Sequence, residues 1–307
     1  MHEALSNLIS MVMLITLGYI IRIKKTSLDD LSNIVVDICL PALILYSTIT
    51  TFSKEVFQQA VYTFVLGIVA ALIGLVLGIC VLRFLKIQQE DRGAFLITSS
   101  FGNTGFIGLP LIMLLFGQEG LLLAVCFDFG MNIILWSIGI NILQNTNKLF
   151  TIKTIKNLGN PFILAIIAGI LINILEIEVP NAFLTFIESL GNIASPIAMI
   201  FIGLMLKQMN FKDTKHSKSV IALIVIKLIL VPFCIFVISK TMFIDEIVVV
   251  VSLLQSAMPC MASAPIIVKR FQGDSTYPAI GVLLSTIISI ATIPLLIGLV
   301  QMIFNVF

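Results

Sequence analysis

The sequence predicts an all-α integral membrane protein with ten transmembrane helices. Of its 307 residues, 59% are hydrophobic, whereas an ordinary soluble protein has about 45–50%. Only 11% are charged, against about 25% in soluble proteins. Long apolar runs recur along the whole chain, and about 20 apolar residues suffice for a helix that crosses a bilayer. The lipid bilayer is therefore the expected environment, and no sizeable soluble domain fits in the remainder.

The predicted helices are the apolar runs that end at charged or turn residues. They cover residues 5–21, 33–50, 58–82, 93–116, 120–143, 161–175, 183–206, 219–239, 247–268 and 277–304. Of the 18 Lys and Arg residues, 15 lie in the loops after helices 1, 3, 5, 7 and 9. Loops rich in Lys and Arg stay on the cytoplasmic side. We therefore expect a multi-pass protein of the cell membrane with both termini extracytoplasmic.

A basic segment near residues 145–160 divides the ten helices into two groups of five. We expect a first repeat over residues 1–150 and a second over residues 151–307, which enters the membrane inverted because five is odd. Asp37 precedes a proline by four residues in helix 2, and Asn192 does so in helix 7. Helices 4 and 9 are both interrupted near their midpoints. Inverted repeats with paired broken helices are typical of secondary transporters with a binding site at the mid-membrane.

The interruptions in helices 4 and 9 predict a binding site for an anion. Helix 4 reads FGNTGFIGLP over residues 101–110, and helix 9 reads QSAMPCMASAP over residues 255–265. Glycine and proline break the helical hydrogen bonding, and the freed groups must face protein or a water-filled cavity. Where each helix restarts, its N–H groups and positive dipole end attract negative charge. We expect that start near Thr104 in helix 4, capped by Asn103, and after Pro259 in helix 9.

Two such helix starts facing each other would bind a carboxylate. The candidate substrate-binding residues are those in and beside the two interruptions: Asn103, Thr104, Gly105, Pro110, Ser256, Pro259, Cys260 and Pro265. The alternative interpretation is that Gly and Pro merely allow close helix packing, as small residues commonly do in membranes.

Three charged residues lie inside predicted membrane helices. They are Asp37 in helix 2, Asp128 in helix 5 and Lys227 in helix 8, and inserting each costs at least about 2.5–3.5 kcal/mol. Asn132 follows Asp128 by four residues, so both lie on one helical face. If Asp128 and Lys227 are adjacent, a substrate carboxylate that competes for the lysine couples anion binding to proton uptake. Two alternatives stay open: Asp128 and Asn132 ligate sodium, or the Asp–Lys pair is purely structural.

The sequence offers no catalytic or metal-binding constellation. Its two histidines, His2 and His216, lie at the N-terminus and in a loop. The five cysteines are scattered singly with no C-x-x-C pair, so we expect no metal site and no cofactor. No P-loop motif and no basic stripe for nucleic acid are present. We therefore expect neither an enzyme nor an ATP-driven pump, and a non-transporting membrane receptor or sensor is the alternative class.

Four features of this sequence are shared with a known family: the ten-span plan, FGNTGFIGLP in helix 4, KLILVP in helix 8 and QSAMPCMASAP in helix 9. Together they resemble the auxin efflux carrier family over essentially the whole chain. The resemblance implies a secondary active transporter of small organic anions, mono- or dicarboxylates such as malonate, malate or lactate. It also implies elevator-type alternating access, in which helices 3–5 and 8–10 form a transport domain and helices 1, 2, 6 and 7 a scaffold that forms a homodimer.

In the resembling fold, helices 4 and 9 cross at the substrate site, and Asn103, Pro110, Pro259 and Pro265 carry over as crossover residues. The family shares its fold with sodium-coupled bile-acid symporters. A sodium-coupled organic-anion symporter is therefore the alternative function, and the coupling ion, proton or sodium, stays open.

Overall fold

The computed structural model describes residues 10, 13–21, 31, 33–51, 53–85, 87, 89–144, 161–208, 217–242, 244–270 and 276–304. Within these ranges the chain is almost entirely helical, and it forms no strand beyond one isolated antiparallel bridge. The prediction of an all-α protein is confirmed for the described part of the chain.

The first half of the chain begins with α1 (13–20) and a π-helical turn, Val35–Cys39, that leads into the next helix. A π-helical turn at Thr104–Gly108 precedes α5, and another at Leu135–Gly139 follows it. The remaining helices of this half are α2 (Leu40–Thr51), α3 (Lys54–Phe84), α4 (Arg92–Ser100), α5 (Leu109–Ile134) and α6 (Ile140–Gln144).

The second half also contains a π-helical turn, Ile226–Leu230, which joins α10 to α11. The helices of this half are α7 (Pro161–Ile174), α8 (Asn181–Asn192), α9 (Ala194–Gln208), α10 (Ser217–Val225), α11 (Val231–Thr241), α12 (Glu246–Ser256), α13 (Ala264–Arg270) and α14 (Thr276–Phe304).

Of the described helical segments, five are long and apolar enough to cross a membrane. Shorter apolar helices cover Asp37–Thr51, Leu164–Ile174 and Glu246–Ser256. The five long segments are Glu55–Phe84, Thr104–Leu143, Asn181–Phe201, Lys218–Thr241 and Pro278–Phe304. A multi-pass helical membrane protein is confirmed, whereas the count of ten crossings and the inverted repeat stay predictions.

The segment Thr104–Leu143 is too long for one crossing. Its 40 residues correspond to about 60 Å of helix, twice the roughly 30 Å of the hydrocarbon core. The segment bends at Gly117, where φ is +64° and ψ is −152°, a conformation that glycine adopts without steric cost. This bend lies between predicted helices 4 and 5, which favours two crossings in this segment.

Several predictions concern residues outside the described ranges. These are the sidedness of residues 1 and 307 and the domain boundary near residue 150. The basic loops at 22–30, 145–160 and 209–216 also lie outside the described residues. The topology that rests on them therefore stays a prediction.

Apolar side chains cover the surface of the helical segments as well as the core. Leu295, Leu299 and Met302 of α14 are all more than half exposed, and they lie on one face because residues three and four apart are neighbours on a helix. Such a face is unfavourable in water and fits contact with lipid acyl chains.

Glycines allow α3 and α5 to pack with their backbones in contact. A Cβ atom on Gly67 would lie 2.1 Å from the Phe127 carbonyl oxygen, and one on Gly130 would lie 2.2 Å from the Phe64 carbonyl oxygen. Both obstacles are backbone atoms, which cannot move aside without separating the helices. Small residues at helix contacts are a general packing device in membranes.

We expect Gly130→Ala to lower the stability of the purified protein by about 1–3 kcal/mol, the usual cost of overpacking. Thermal unfolding in detergent measures this as a lower Tm. Gly298→Ala on α14 is the matched control, because apart from the backbone of its own helix no described atom lies within 4 Å of a Cβ at that position. Equal Tm values for the two variants would contradict the packing role of Gly130.

Candidate functional site

The breaks in predicted helices 4 and 9 meet and pair with each other. The Asn103 N–H donates a hydrogen bond to the Pro259 carbonyl at 2.7 Å, and the Met261 N–H donates to the Phe101 carbonyl at 3.1 Å. Between these bonds, Gly102 and Cys260 form an isolated antiparallel bridge. We call residues 101–103 and 257–263 the crossover. Its two segments hydrogen-bond across the break and so satisfy backbone groups that lipid could not.

The part of the crossover where the two segments pair is buried, whereas Ser263 at its end is exposed. Phe101, Asn103, Met258 and Cys260 are all buried. An interrupted helix at membrane depth is tolerated where protein surrounds it or where it lines a water-filled cavity. This burial favours a functional crossover over a surface irregularity.

Asn103 occupies the N-cap position of the helix that restarts at Thr104, as the sequence predicts. Its carbonyl accepts hydrogen bonds from the Ile107 and Gly108 N–H groups at 3.1 and 3.2 Å. Its side chain, however, makes no capping hydrogen bond. The first N–H groups of the helix, from Thr104 to Phe106, have no carbonyl partner within it. The Asn103 carboxamide makes no capping bond and these N–H groups have no helical partner, so both are candidate donors to a ligand.

The expectation for helix 9 is wrong in one respect. Its second half restarts only with α13 at Ala264 and not directly after Pro259. The Cys260 N–H donates to Ser285 Oγ at 3.0 Å, and the Met261 N–H is used in the crossover pairing. The N–H groups of Cys260 and Met261, which follow Pro259 directly, are used in these contacts, and the helix start of this second half lies at Ala264, at the end of the crossover.

The two outer prolines of the predicted site lie where a helical segment begins or changes. Pro110 follows the π-helical turn Thr104–Gly108, and its carbonyl accepts a hydrogen bond from Ser195 Oγ of α9 at 3.3 Å. Pro265 is in the first turn of α13, where proline is favoured because its missing N–H has no partner there in any case. The position of Pro265 is therefore explained structurally, and Pro110 links the restarted helix to α9.

Asp128 lies against the restarted part of helix 4. Its side chain is 7% exposed, and its carboxyl group accepts hydrogen bonds from Thr104 Oγ1 and from Asn132 Nδ2, the latter at 2.9 Å. A Cβ atom on Gly105 would lie 3.7 Å from Asp128 Oδ1. The carboxyl group is therefore placed beside the first turn of that helix, where the positive dipole end stabilises negative charge.

Lys227 lies on helix 8, beside the break in helix 9. It belongs to the π-helical turn between α10 and α11, it is completely buried, and its Nζ donates to the Ser256 carbonyl at 2.8 Å. A Cβ atom on Gly102 would lie 2.9 Å from both Cε and Nζ of Lys227. The ammonium group therefore bonds the last residue of α12 and lies beside Gly102 of the crossover.

The structure does not form the ion pair between Asp128 and Lys227 that the sequence suggested. These two described residues have different partners, Thr104 and Asn132 for the carboxyl group and Ser256 for the ammonium group. Asp37, the third charge, is exposed on the π-helical turn before α2, which packs against α8 and α9. The structure therefore places Asp37 apart from the crossover contacts.

Sequence reasoning missed Gln255 as a residue of the site. It is completely buried, its Nε2 lies 3.5 Å from the Ala124 carbonyl, and its Oε1 has no hydrogen-bond partner among the described residues. A Cβ atom on Gly108 would lie 2.1 Å from that Oε1. The signal was an amide four residues before Pro259 in an otherwise apolar helix, where a polar group needs a partner.

An apolar pocket elsewhere does not suit an anion. It has a volume of about 240 Å³ and lies between α2, α3, α5 and α7, with Phe57, Phe64, Leu122 and Ile166 among its lining residues. Thr48 contributes a hydroxyl group to the lining of this pocket, but that group already donates a hydrogen bond to the Ile44 carbonyl. An anion there would lose its hydration without gaining hydrogen-bond donors, so the crossover is the better candidate.

The chain is similar to known membrane proteins over most of its length. The profile of a family described as membrane transport protein matches residues 4–297. An uncharacterized transporter of Methanocaldococcus jannaschii is 26% identical over 297 residues, which cover 92% of this chain and 94% of that protein. An uncharacterized transporter of Methanothermobacter thermautotrophicus is 22% identical over 295 residues, which cover 94% and 95%. These similarities extend over nearly the full length of each protein.

Proposed function

Since the chain belongs to this family of membrane transport proteins, the auxin efflux carriers, we propose that it is a secondary active transporter of small organic anions. The substrates are mono- or dicarboxylates such as malonate, malate or lactate. Like its relatives, the protein is a membrane transporter and not an enzyme. The proposal adds to this the class of substrate, the mechanism and the coupling ion.

The observation that supports an anionic substrate is the geometry of the first helix break. Asn103 is buried with a side chain that makes no capping bond, and the helix start behind it presents N–H groups that have no partner within the helix. Backbone N–H groups at a helix N-terminus, together with a carboxamide donor, are suited to a carboxylate. A carboxylate that binds there replaces its water shell with these donors.

Asp128 supports coupling to protons. Its carboxyl group lies beside the same helix start through Thr104 and Gly105. A substrate carboxylate bound at this helix start and an ionised Asp128 repel each other strongly in a buried site. Uptake of a proton by Asp128 removes this repulsion, so that anion and proton bind together. A sodium ion at Asp128 and Asn132 is the alternative coupling arrangement.

The packing of the helices is consistent with an elevator mechanism. From the two halves of the chain, α3, α5, α11 and α12 pack together, as a transport domain requires. In the proposed scaffold, α2 packs against α7 and α8. α1 and α9 touch through Gly18 and Gly203, where added Cβ atoms would lie 2.0 Å from carbonyl oxygens of the other helix. We propose that this scaffold forms a homodimer and that both termini are extracytoplasmic.

Flux in proteoliposomes tests the proposal. Vesicles loaded with unlabelled malonate, malate or lactate are diluted into the same labelled anion, and labelled anion is expected to accumulate transiently by exchange. Protein-free vesicles are the control for leakage. A membrane receptor binds such an anion without exchange, so saturable binding without counterflow favours that alternative. Failure of every carboxylate to exchange, with folded protein in the vesicles, contradicts the proposed substrate class.

A further inference from the structure

The first half of helix 9 ends directly before the second segment of the crossover. α12 ends at Ser256, and the last four carbonyl groups of a helix have no partner within it. The N–H of Ala257 donates to the Leu253 and Leu254 carbonyls at 3.1 Å each, and the N–H of Met258 donates to the Gln255 backbone carbonyl at 3.3 Å. The carbonyl of Ser256 accepts its hydrogen bond from Lys227 Nζ at 2.8 Å.

A positive charge at this position is favourable for a second reason. The carbonyl groups at the end of α12 form the negative end of its dipole, which attracts cations. Lys227 is the residue that supplies the charge, from a different helix and in a fully buried position. Its Nζ also lies beside Gly102, where an added Cβ would be 2.9 Å away, so that the ammonium group is close to both broken helices.

In secondary transporters with broken helices, unwound carbonyl groups and half-helix C-terminal ends commonly hold the coupling sodium ion. We propose, on the basis of the transport function inferred above, that the ammonium group of Lys227 is a built-in cation that occupies this place. The carrier therefore binds no sodium at the crossover and transports its anion without a sodium gradient.

The main experiment compares cation responses of the purified protein. Thermal unfolding of the wild type is expected to be the same in sodium chloride and in choline chloride. Lys227→Ala leaves the Ser256 carbonyl and the dipole end without a cation, so its Tm is expected to fall. Sodium or methylammonium chloride should restore part of that Tm, because a bound cation stabilises the folded state, whereas choline is too large to fit.

Lys240→Ala is the matched control. Lys240 lies one helix further along, is exposed, and stacks 4.1 Å from the centre of the Phe304 ring. Its removal is expected to leave the Tm equally insensitive to sodium, methylammonium and choline. Gly102→Ala is a second variant in case Lys227→Ala does not fold. Its added Cβ would displace the ammonium group, since it would lie 2.9 Å from Nζ, and the same cation response is expected.

Transport measurements complete the test. Uptake by the wild type is expected to be unchanged when sodium is replaced by choline on both sides. Lys227→Ala should lose about tenfold in uptake, the effect of one charge-assisted hydrogen bond, and recover part of it in methylammonium.

The proposal is overturned if sodium stabilises or drives the wild type, or if Lys227→Ala responds to no cation. The Tm measurement uses no substrate, so it remains decisive even if no carboxylate is transported and the proposed function fails.

Discussion

Asn103→Ala is expected to reduce carboxylate uptake by about tenfold or more, the loss of a hydrogen bond to a charged group, with little change in the amount of folded protein. The structural contacts of Asn103 are made by its backbone, through the N–H to Pro259 and the carbonyl to Ile107 and Gly108. Alanine keeps both. The side chain makes no capping bond, so its removal takes a ligand contact away and leaves the crossover intact.

The measurement is the concentration dependence of uptake in proteoliposomes, together with the yield and Tm of each variant. The expected signature is a raised KM. Asn192→Ala on α8 is the control, since that asparagine is exposed and lies outside the crossover. If Asn103→Ala shows wild-type affinity for every transported anion, Asn103 does not belong to the substrate site.

The breaks in helices 4 and 9 could be predicted from the sequence because glycine and proline cluster at the centre of long apolar runs. The pairing of Asn103 with Pro259 follows from the same pattern only in outline. Backbone hydrogen bonds between distant segments do not depend on residue type, so a sequence does not indicate them. For that reason, the sequence could not show that the N–H groups of Cys260 and Met261 are already bonded to Ser285 and Phe101.

The partners of the buried charges were partly predictable. Asn132 lies one helical turn after Asp128, and the structure places its Nδ2 2.9 Å from the carboxyl group. Thr104 reaches the same group across the bend at Gly117, and no local pattern indicates such a contact. The hypothesis that Lys227 pairs with Asp128 arises because charge is visible in a sequence. The actual partner of Lys227 is the carbonyl of Ser256, which every residue type possesses.

Gln255 shows the reverse difficulty. Its polar side chain was visible, but its significance depends on an unsatisfied oxygen beside Gly108. Whether a buried polar atom has a partner can be judged only from the packed structure. The sequence therefore predicted which segments form the site, and the structure was needed to show which atoms in them remain available.

Asp128→Asn is expected to abolish uptake driven by a pH gradient while anion exchange continues. Asparagine has nearly the shape of a protonated aspartic acid and carries no charge. It can still accept the hydrogen bond that Thr104 Oγ1 donates to this position in the wild type. If Asp128 takes up a proton whenever the anion binds, the variant mimics the protonated state permanently. It can then bind and release the anion, but it carries no proton with it.

Two measurements separate coupling from binding. Counterflow at equal pH on both sides reports exchange and is expected to stay within about twofold of the wild type, since an isosteric neutral replacement keeps most of the packing. Accumulation against a concentration gradient with an acidic outside reports coupling and is expected to fall to the level of equilibration. Asp245→Asn is the control, because Asp245 is exposed and bonds Gln59 Nε2 at 2.9 Å.

Full pH-driven accumulation by Asp128→Asn would show that proton coupling does not run through this residue. Asp128 would then be a structural link that holds the bent helix together through Thr104 and Asn132. Thr104→Val distinguishes the two roles, since it removes a hydrogen bond to Asp128 but leaves the titrating group. A coupling role predicts that this variant still accumulates anion with a shifted pH dependence. A structural role predicts a lower Tm with an unchanged pH profile, because the bond then stabilises the fold without affecting the proton that moves.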